Sequence, residues 1–167
     1  IRLMGVEWTA GSNPDYGFAE TDSVILSQCS LMKAVNAIFT RQHFQQDELF
    51  YDFCDRNGIL IQQEVPLWGP ETPANDTIRH IALQQMERMI LNNYNHPSIF
   101  SWGTGNELRG GDPDIKNLIT ELIAKARATD PSRYTAYVSN TLTSSFYNHP
   151  RFIPDAANDG DYIMMNE

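Results

Sequence analysis

The stretch Asn95-His96-Pro97-Ser98-Ile99-Phe100-Ser101-Trp102-Gly103-Thr104-Gly105-Asn106-Glu107 decides how this chain is read. Its apolar run, Ile99 to Trp102, predicts a buried strand, with Pro97 before it and two glycines after it. Just beyond stand Asn106 and Glu107, two residues able to do chemistry. Reactive side chains at the carboxyl end of a buried strand characterise parallel α/β folds, whose sites collect at that end of the sheet.

The same arrangement recurs on either side. Strands are predicted at Arg2 to Trp8, Ala37 to Thr40, Ile59 to Val65, Tyr134 to Val138 and Tyr162 to Met165. Segments of helical period separate them. Thr21 is placed to cap a helix carrying Ile25, Cys29 and Met32, and Asp47 to Arg56 carries Phe50, Phe53 and Cys54 before Asn57-Gly58 stops it. Thr77 to Asn93 has a stripe of Ile78, Ile81, Ala82, Met86, Met89 and Ile90. Ile115, Leu118, Ile119, Leu122, Ile123 and Ala126 form the last apolar face, ahead of Asp130-Pro131.

Strand-helix alternation leaves two architectures, an open doubly wound sheet and a (β/α)8 TIM barrel. The first is expected to show a glycine-rich phosphate turn after its first strand, and Thr9-Ala10-Gly11-Ser12-Asn13-Pro14 is not one. The barrel keeps its reactive residues at strand ends. Here Glu7 and Trp8, Arg41 and His43, Glu64 and Trp68, Asn106 and Glu107, and Asn166 and Glu167 all fall there. A complete barrel takes roughly 250 residues, so the 167 present predict one domain, residues 1–167, holding about six βα units of an incomplete barrel. Its first and sixth strands would be open edges. The remainder of the parent polypeptide, or an oligomeric partner, is expected to cover them.

Composition narrows the partners. Apolar residues make up 41% and charged residues 20%, as in ordinary globular domains. Twelve Lys+Arg against 21 Asp+Glu give a formal charge of -9, which argues against nucleic acid and against an anionic membrane surface. Cys29 and Cys54 fall on apolar helix faces and are expected to be buried free thiols. No spacing among the four His and two Cys suits zinc, and neither a metal nor a cofactor is expected. The chain opens in what reads as mid-strand, so its compartment is left open: periplasmic, secreted or cytoplasmic.

Taken alone, Asn106-Glu107 reads first as a merely polar strand-to-helix turn. A carboxylic acid walled by Trp102 would instead have its pKa raised toward neutrality, as protonation of a glycosidic oxygen requires. The whole stretch bears on that choice, because Asn-His-Pro-Ser-Ile, an apolar strand and Trp-x-x-Gly-Asn-Glu resemble the acid/base region of glycoside hydrolase family 2, the β-galactosidases, β-glucuronidases and β-mannosidases. Gly5-Val6, Leu31-Met32-Lys33 with Asn36-Ala37-Ile38, Gln46-Asp47, Phe50-Tyr51 and Cys54-Asp55-Arg56-Asn57-Gly58-Ile59 resemble other segments of that family.

The resemblance implies a retaining hydrolase in which Glu107 is the general acid/base and Asn106 contacts the sugar 2-hydroxyl. It places His43 at a substrate-contacting position, and Arg41 at the family's arginine after a one-residue adjustment. The nucleophilic carboxylate of strand seven would lie beyond this chain, which would then be inactive alone. Glu64 reads as a structural carboxylate satisfied by neighbouring strands or else as a pocket residue, and Asn166 would line the pocket, while Glu167 is a pocket residue, an alternative nucleophile or an end without a role. His96 would order the chain entering strand four; His80 and His149 read as a helix and a loop position.

Two departures stand out. The Asn-Arg-His-Glu of the family's galactosidases is replaced by Glu7-Trp8-Thr9-Ala10. Their Glu-x-His metal pair after strand three becomes Glu64-Val65-Pro66-Leu67-Trp68-Gly69, without the His. Trp8 and Trp68 suit stacking on a pyranose face. The competing expectation is a non-catalytic carbohydrate-binding or assembly fragment.

Overall fold

The computed structural model describes residues 3–9, 13–139 and 160–165. Strands β1 (Gly5–Thr9), β2 (Phe39–His43), β3 (Leu60–Glu64), β4 (Ile99–Asn106), β5 (Tyr134–Ser139) and β6 (Tyr162–Met165) form one parallel sheet in chain order. Helices α1 (Asp22–Ala34), α2 (Glu48–Asn57), α3 (Asp76–Asn93) and α4 (Pro113–Thr129) connect the first five strands. This is the architecture of an incomplete (β/α) barrel, with β1 and β6 at the edges of the sheet. Among the described residues, no helix is long and apolar enough to cross a membrane.

Local chemistry starts and stops these helices. Asp47 caps α2 by accepting from Leu49 N–H, and Gly58 closes it at φ 65°. Asn75 caps α3, while Asp112 caps α4 just ahead of Pro113. Thr21 sits at the start of α1 without a side-chain cap bond. All six predicted apolar positions of α4 are buried against the sheet, each full burial of a Leu or Ile contributing roughly 1.5–3 kcal/mol. Cys29 and Cys54 are buried free thiols, and desolvation pushes the Cys29 pKa up to about 11. On α3 one expected core residue, Ile81, faces outward; its neighbours Ala82, Met86, Met89 and Ile90 supply the buried stripe.

Two strands run three or more residues past their predicted ends. β2 runs on through Arg41 and His43, and β4 continues to Asn106, so these polar residues belong to strands rather than to the loops after them. In both cases the apolar run ends where the inward side chains become polar, while the backbone ladder continues. Asn166 and Glu167, the pocket and alternative-nucleophile candidates, and His149 lie outside the described residues.

The amino end of β4 is anchored by an ionic clamp. Arg133 donates to the backbone carbonyls of Tyr94, His96 and Ile99 at 2.8–3.0 Å and pairs with Asp130 at 2.7 Å. Asp130, fully buried, also accepts from Trp102 Nε1 and from the backbone N–H of Ser132. Burial alone would raise its pKa, but bonds from Ser132, Arg133 and Trp102 outweigh that and hold it at about 2. Beside this clamp, Asp55 accepts from Ser98 N–H at 2.9 Å and meets His96 Nδ1 at 2.7 Å. His96 therefore orders the entry to β4, as expected from the sequence.

Candidate active site

Side chains alternate across a strand, so β2 presents Arg41 and His43, and β3 presents Gln62 and Glu64, on the inner face of the sheet. At the bottom of that face, Phe100 contacts Phe39, Tyr134 and Tyr162 at centroid distances of 5.1–6.1 Å. Phe100 is the extra residue where the β3–β4 register shifts, Ile61 facing Ile99 and Gln62 facing Ser101. A polar layer follows. Tyr162 O–H donates to Gln62 Oε1 and accepts from Ser101 Oγ. Burial, together with the negative charge of Glu64, raises the Tyr162 pKa to about 12 against the opposing effects of Ser101 and Arg41, so this hydroxyl remains a proton donor at neutral pH.

Above it, the Arg41 guanidinium is gripped from three strands. Nε donates to Glu64 Oε2 at 3.2 Å, and Nη2 to Glu64 Oε1 at 3.0 Å and to Asn106 Oδ1. Nη1 pairs with Glu7 of β1 at 3.2 Å. Glu64 Oε1 also meets His43 Nδ1 at 2.7 Å. An ionised Glu64 can only accept, so Nδ1 carries the proton and Nε2 is the nitrogen offered to a ligand. The Asn106 amide is oriented in the same way. Its oxygen faces Arg41, which turns the NH2 end away from the guanidinium.

Gly103 makes room for this network. A Cβ built there would lie 2.5 Å from Glu64 Cβ, so only glycine lets β4 pass this close to β3. Past Gly103 the β4–β5 register shifts so that Asn106 faces Val138, and on its other side Asn106 pairs with the loop after β3 through Leu67, Trp68 and Gly69. Trp68, 60% exposed, stands edge-on to His43 with ring centroids 6.5 Å apart. The half-buried Glu107 follows with a left-handed φ of 53°, its N–H bonded to Val138 O. A non-glycine residue in that conformation is uncommon, and such strain concentrates at functional sites.

Most of the sequence candidates therefore converge: Arg41, His43, Glu64 and Asn106 are in contact, with Trp68 beside His43 and Glu107 next in chain to Asn106. Trp8 lies on β1, and its side chain is not among those described. One expectation is corrected. Trp102 does not wall Glu107, because strand alternation turns its indole outward to Asp130 and to the Arg133 guanidinium, 5.6 Å from the ring. The residues that sequence reasoning left out are Gln62, Ser101 and Tyr162, and it placed Glu7 at a strand end without giving it a role in the site. The polar run Gln62-Gln63-Glu64 closing a strand that opens with Leu60 and Ile61 was the available signal for the first polar layer.

The divalent cation that the resemblance attaches to galactosidases does not fit these residues. Both Glu64 oxygens are committed to Arg41 and His43, and Pro66 stands where the histidine ligand would be. At the opposite end of the strands, Asp52, Asp55 and His96 approach one another, but Asp55 is already bonded to Ser98 and His96, and Asp52 to Arg56.

Residues 11–153 match the description "Glycosyl hydrolases family 2, TIM barrel domain". The chain belongs to that family. Over 112 residues it is 37% identical to a β-glucuronidase of Bacteroides fragilis, covering 64% of this chain and 16% of that protein. Over 164 residues it is 31% identical to a β-galactosidase of Thermoanaerobacterium thermosulfurigenes, covering 96% of this chain and 22% of the relative. The crystal structure of a family 2 β-galacturonidase from Eisenbergiella tayi bound to galacturonate superposes with a TM-score of 0.80 at 29% identity, over 84% of this chain and 26% of that one. This family 2 chain thus spans about a quarter or less of the length of these relatives.

Proposed function

We propose that this chain is part of the catalytic domain of a retaining glycoside hydrolase, with Glu107 as general acid/base and Arg41, His43, Glu64, Trp68 and Asn106 in its sugar pocket. The observation that carries the reading is the placement of Glu107. It is a half-buried carboxyl group in strained backbone at the end of β4, directly after an asparagine whose amide is oriented by a buried arginine.

In the first step Glu107 gives its proton to the glycosidic oxygen as the bond to the anomeric carbon breaks. A second carboxylate attacks that carbon from the opposite face and forms a glycosyl ester. Glu107, now ionised, then takes a proton from water as the water displaces the ester, and the sugar leaves with its configuration retained. Such pairs stand about 5 Å apart. Glu64 is not the partner, because it is fully buried and both its oxygens are bonded.

The test is Glu107→Gln in the longest natural polypeptide that contains these residues. Hydrolysis of aryl β-glycosides with poor leaving groups should fall by about 10²–10⁴-fold, the usual worth of a general acid. Activated aryl glycosides should lose far less. Equal slowing of both would refute the acid assignment, and sugar binding without any turnover in the unaltered protein would favour the non-catalytic alternative.

A further inference from the structure

We infer that Glu7 is a specificity-determining residue, a fixed carboxylate at the pocket mouth that binds sugar hydroxyls and favours neutral pyranosides over uronides. This rests on the sugar-pocket reading above and names the substrate class of that pocket.

Glu7 lies directly opposite Arg41 in the β1–β2 register, with Oε1 3.2 Å from Nη1. The other acceptors around this guanidinium are inaccessible: Glu64 is 0% exposed and Asn106 4%. The Glu7 side chain is 50% exposed. Glu7 is thus the carboxylate of this cluster that a ligand can reach, and a buried arginine restricts its motion. An ionised carboxylate is acceptor-only, with about four lone-pair directions, of which Arg41 uses one. Adjacent hydroxyls of a pyranose are pure complements to such a group, and the ordering cost of the acceptor is already met by the ion pair.

Charge sets the preference. Within this network one positive group, Arg41, faces two carboxylates, Glu7 and Glu64. Its charge is therefore already neutralised when a ligand arrives. The carboxylate of a uronide reaching this side of the pocket meets the exposed negative charge of Glu7 without a compensating cation from Arg41, whereas a neutral hydroxymethyl group incurs no such repulsion.

The experiment compares kcat/KM of the intact natural polypeptide and its Glu7→Gln variant on p-nitrophenyl β-galactoside, β-glucoside and β-glucuronide. Losing a charged acceptor should lower the neutral substrates about 10- to 100-fold, and the uronide-to-neutral ratio should rise at least tenfold. A ratio that stays put while the unaltered enzyme turns over overturns the role of Glu7 and leaves the hydrolase reading intact. If no glycoside is turned over, calorimetric binding of methyl β-glucoside and methyl β-glucuronide is read in the same two proteins. A shifted binding ratio there upholds Glu7 and sinks the hydrolase; an unshifted one overturns Glu7. Should Glu7→Gln melt early, Glu7→Asp keeps the charge and withdraws it by one methylene. It should weaken neutral substrates while still excluding the uronide, and gain of uronide activity would count against the inference.

Discussion

Glu64 holds Arg41 in a two-pronged grip, Oε2 on Nε and Oε1 on Nη2, with both residues buried and His43 bonded to the same Oε1. Charges taken this far from water are tolerated only as a set, since removing one partner leaves the other buried and uncompensated.

Glu64→Gln is therefore expected to cost about 3–5 kcal/mol of stability, read from urea unfolding. Replacing both partners, Arg41→Met with Glu64→Leu, should cost clearly less than the sum of the single changes. A loss below ~1 kcal/mol for Glu64→Gln would mean that water reaches the pair.

Gly103→Ala should be disproportionately harmful for a single methyl group. The new Cβ has to displace Glu64 Cβ from 2.5 Å, and overpacking of this kind costs about 1–3 kcal/mol. The displaced group carries Arg41 and His43, so sugar affinity should fall along with the melting temperature. A variant that is destabilised but binds sugar normally would contradict the coupling.

Acid should loosen the clamp at the foot of β4 in a defined window. The folded-state pKa of Asp130, about 2, lies below its ordinary value of 3.8. Its ionised form therefore contributes fully above pH ~4 and is lost as pH falls toward 2, a difference worth about 2 kcal/mol. Asp130→Asn should remove that dependence, with unfolding midpoints at pH 5 and pH 2.5 differing by less than in the unaltered chain. An unchanged difference would assign the acid sensitivity to other carboxylates.

The order of strands and helices was legible because apolar runs and helical stripes alternate so regularly, and Asn106, Glu107, Arg41 and His43 were legible as residues at strand ends. The ends of β2 and β4 were misplaced for one reason. A strand that lines a pocket changes from apolar to polar side chains before its backbone pairing stops, so an apolar run underestimates its length. Trp102 was assigned to the wrong face by proximity in sequence to Glu107, although the alternation past Gly103 sends it outward. The Glu7–Arg41 pair joins residues on different strands, and the Tyr162–Gln62 bond spans β6 and β3; no local pattern announces such partners.

Strand order in space equals strand order along the chain, and each strand pairs with the one made just before it. A ribosome emits about 5–20 residues per second, so the roughly 34 residues between Gly5 and its partner Phe39 arrive in a few seconds. Each new strand finds its docking edge already waiting as it leaves the exit tunnel. The sheet can thus grow vectorially during synthesis, and Glu7 emerges ahead of Arg41, which then neutralises it.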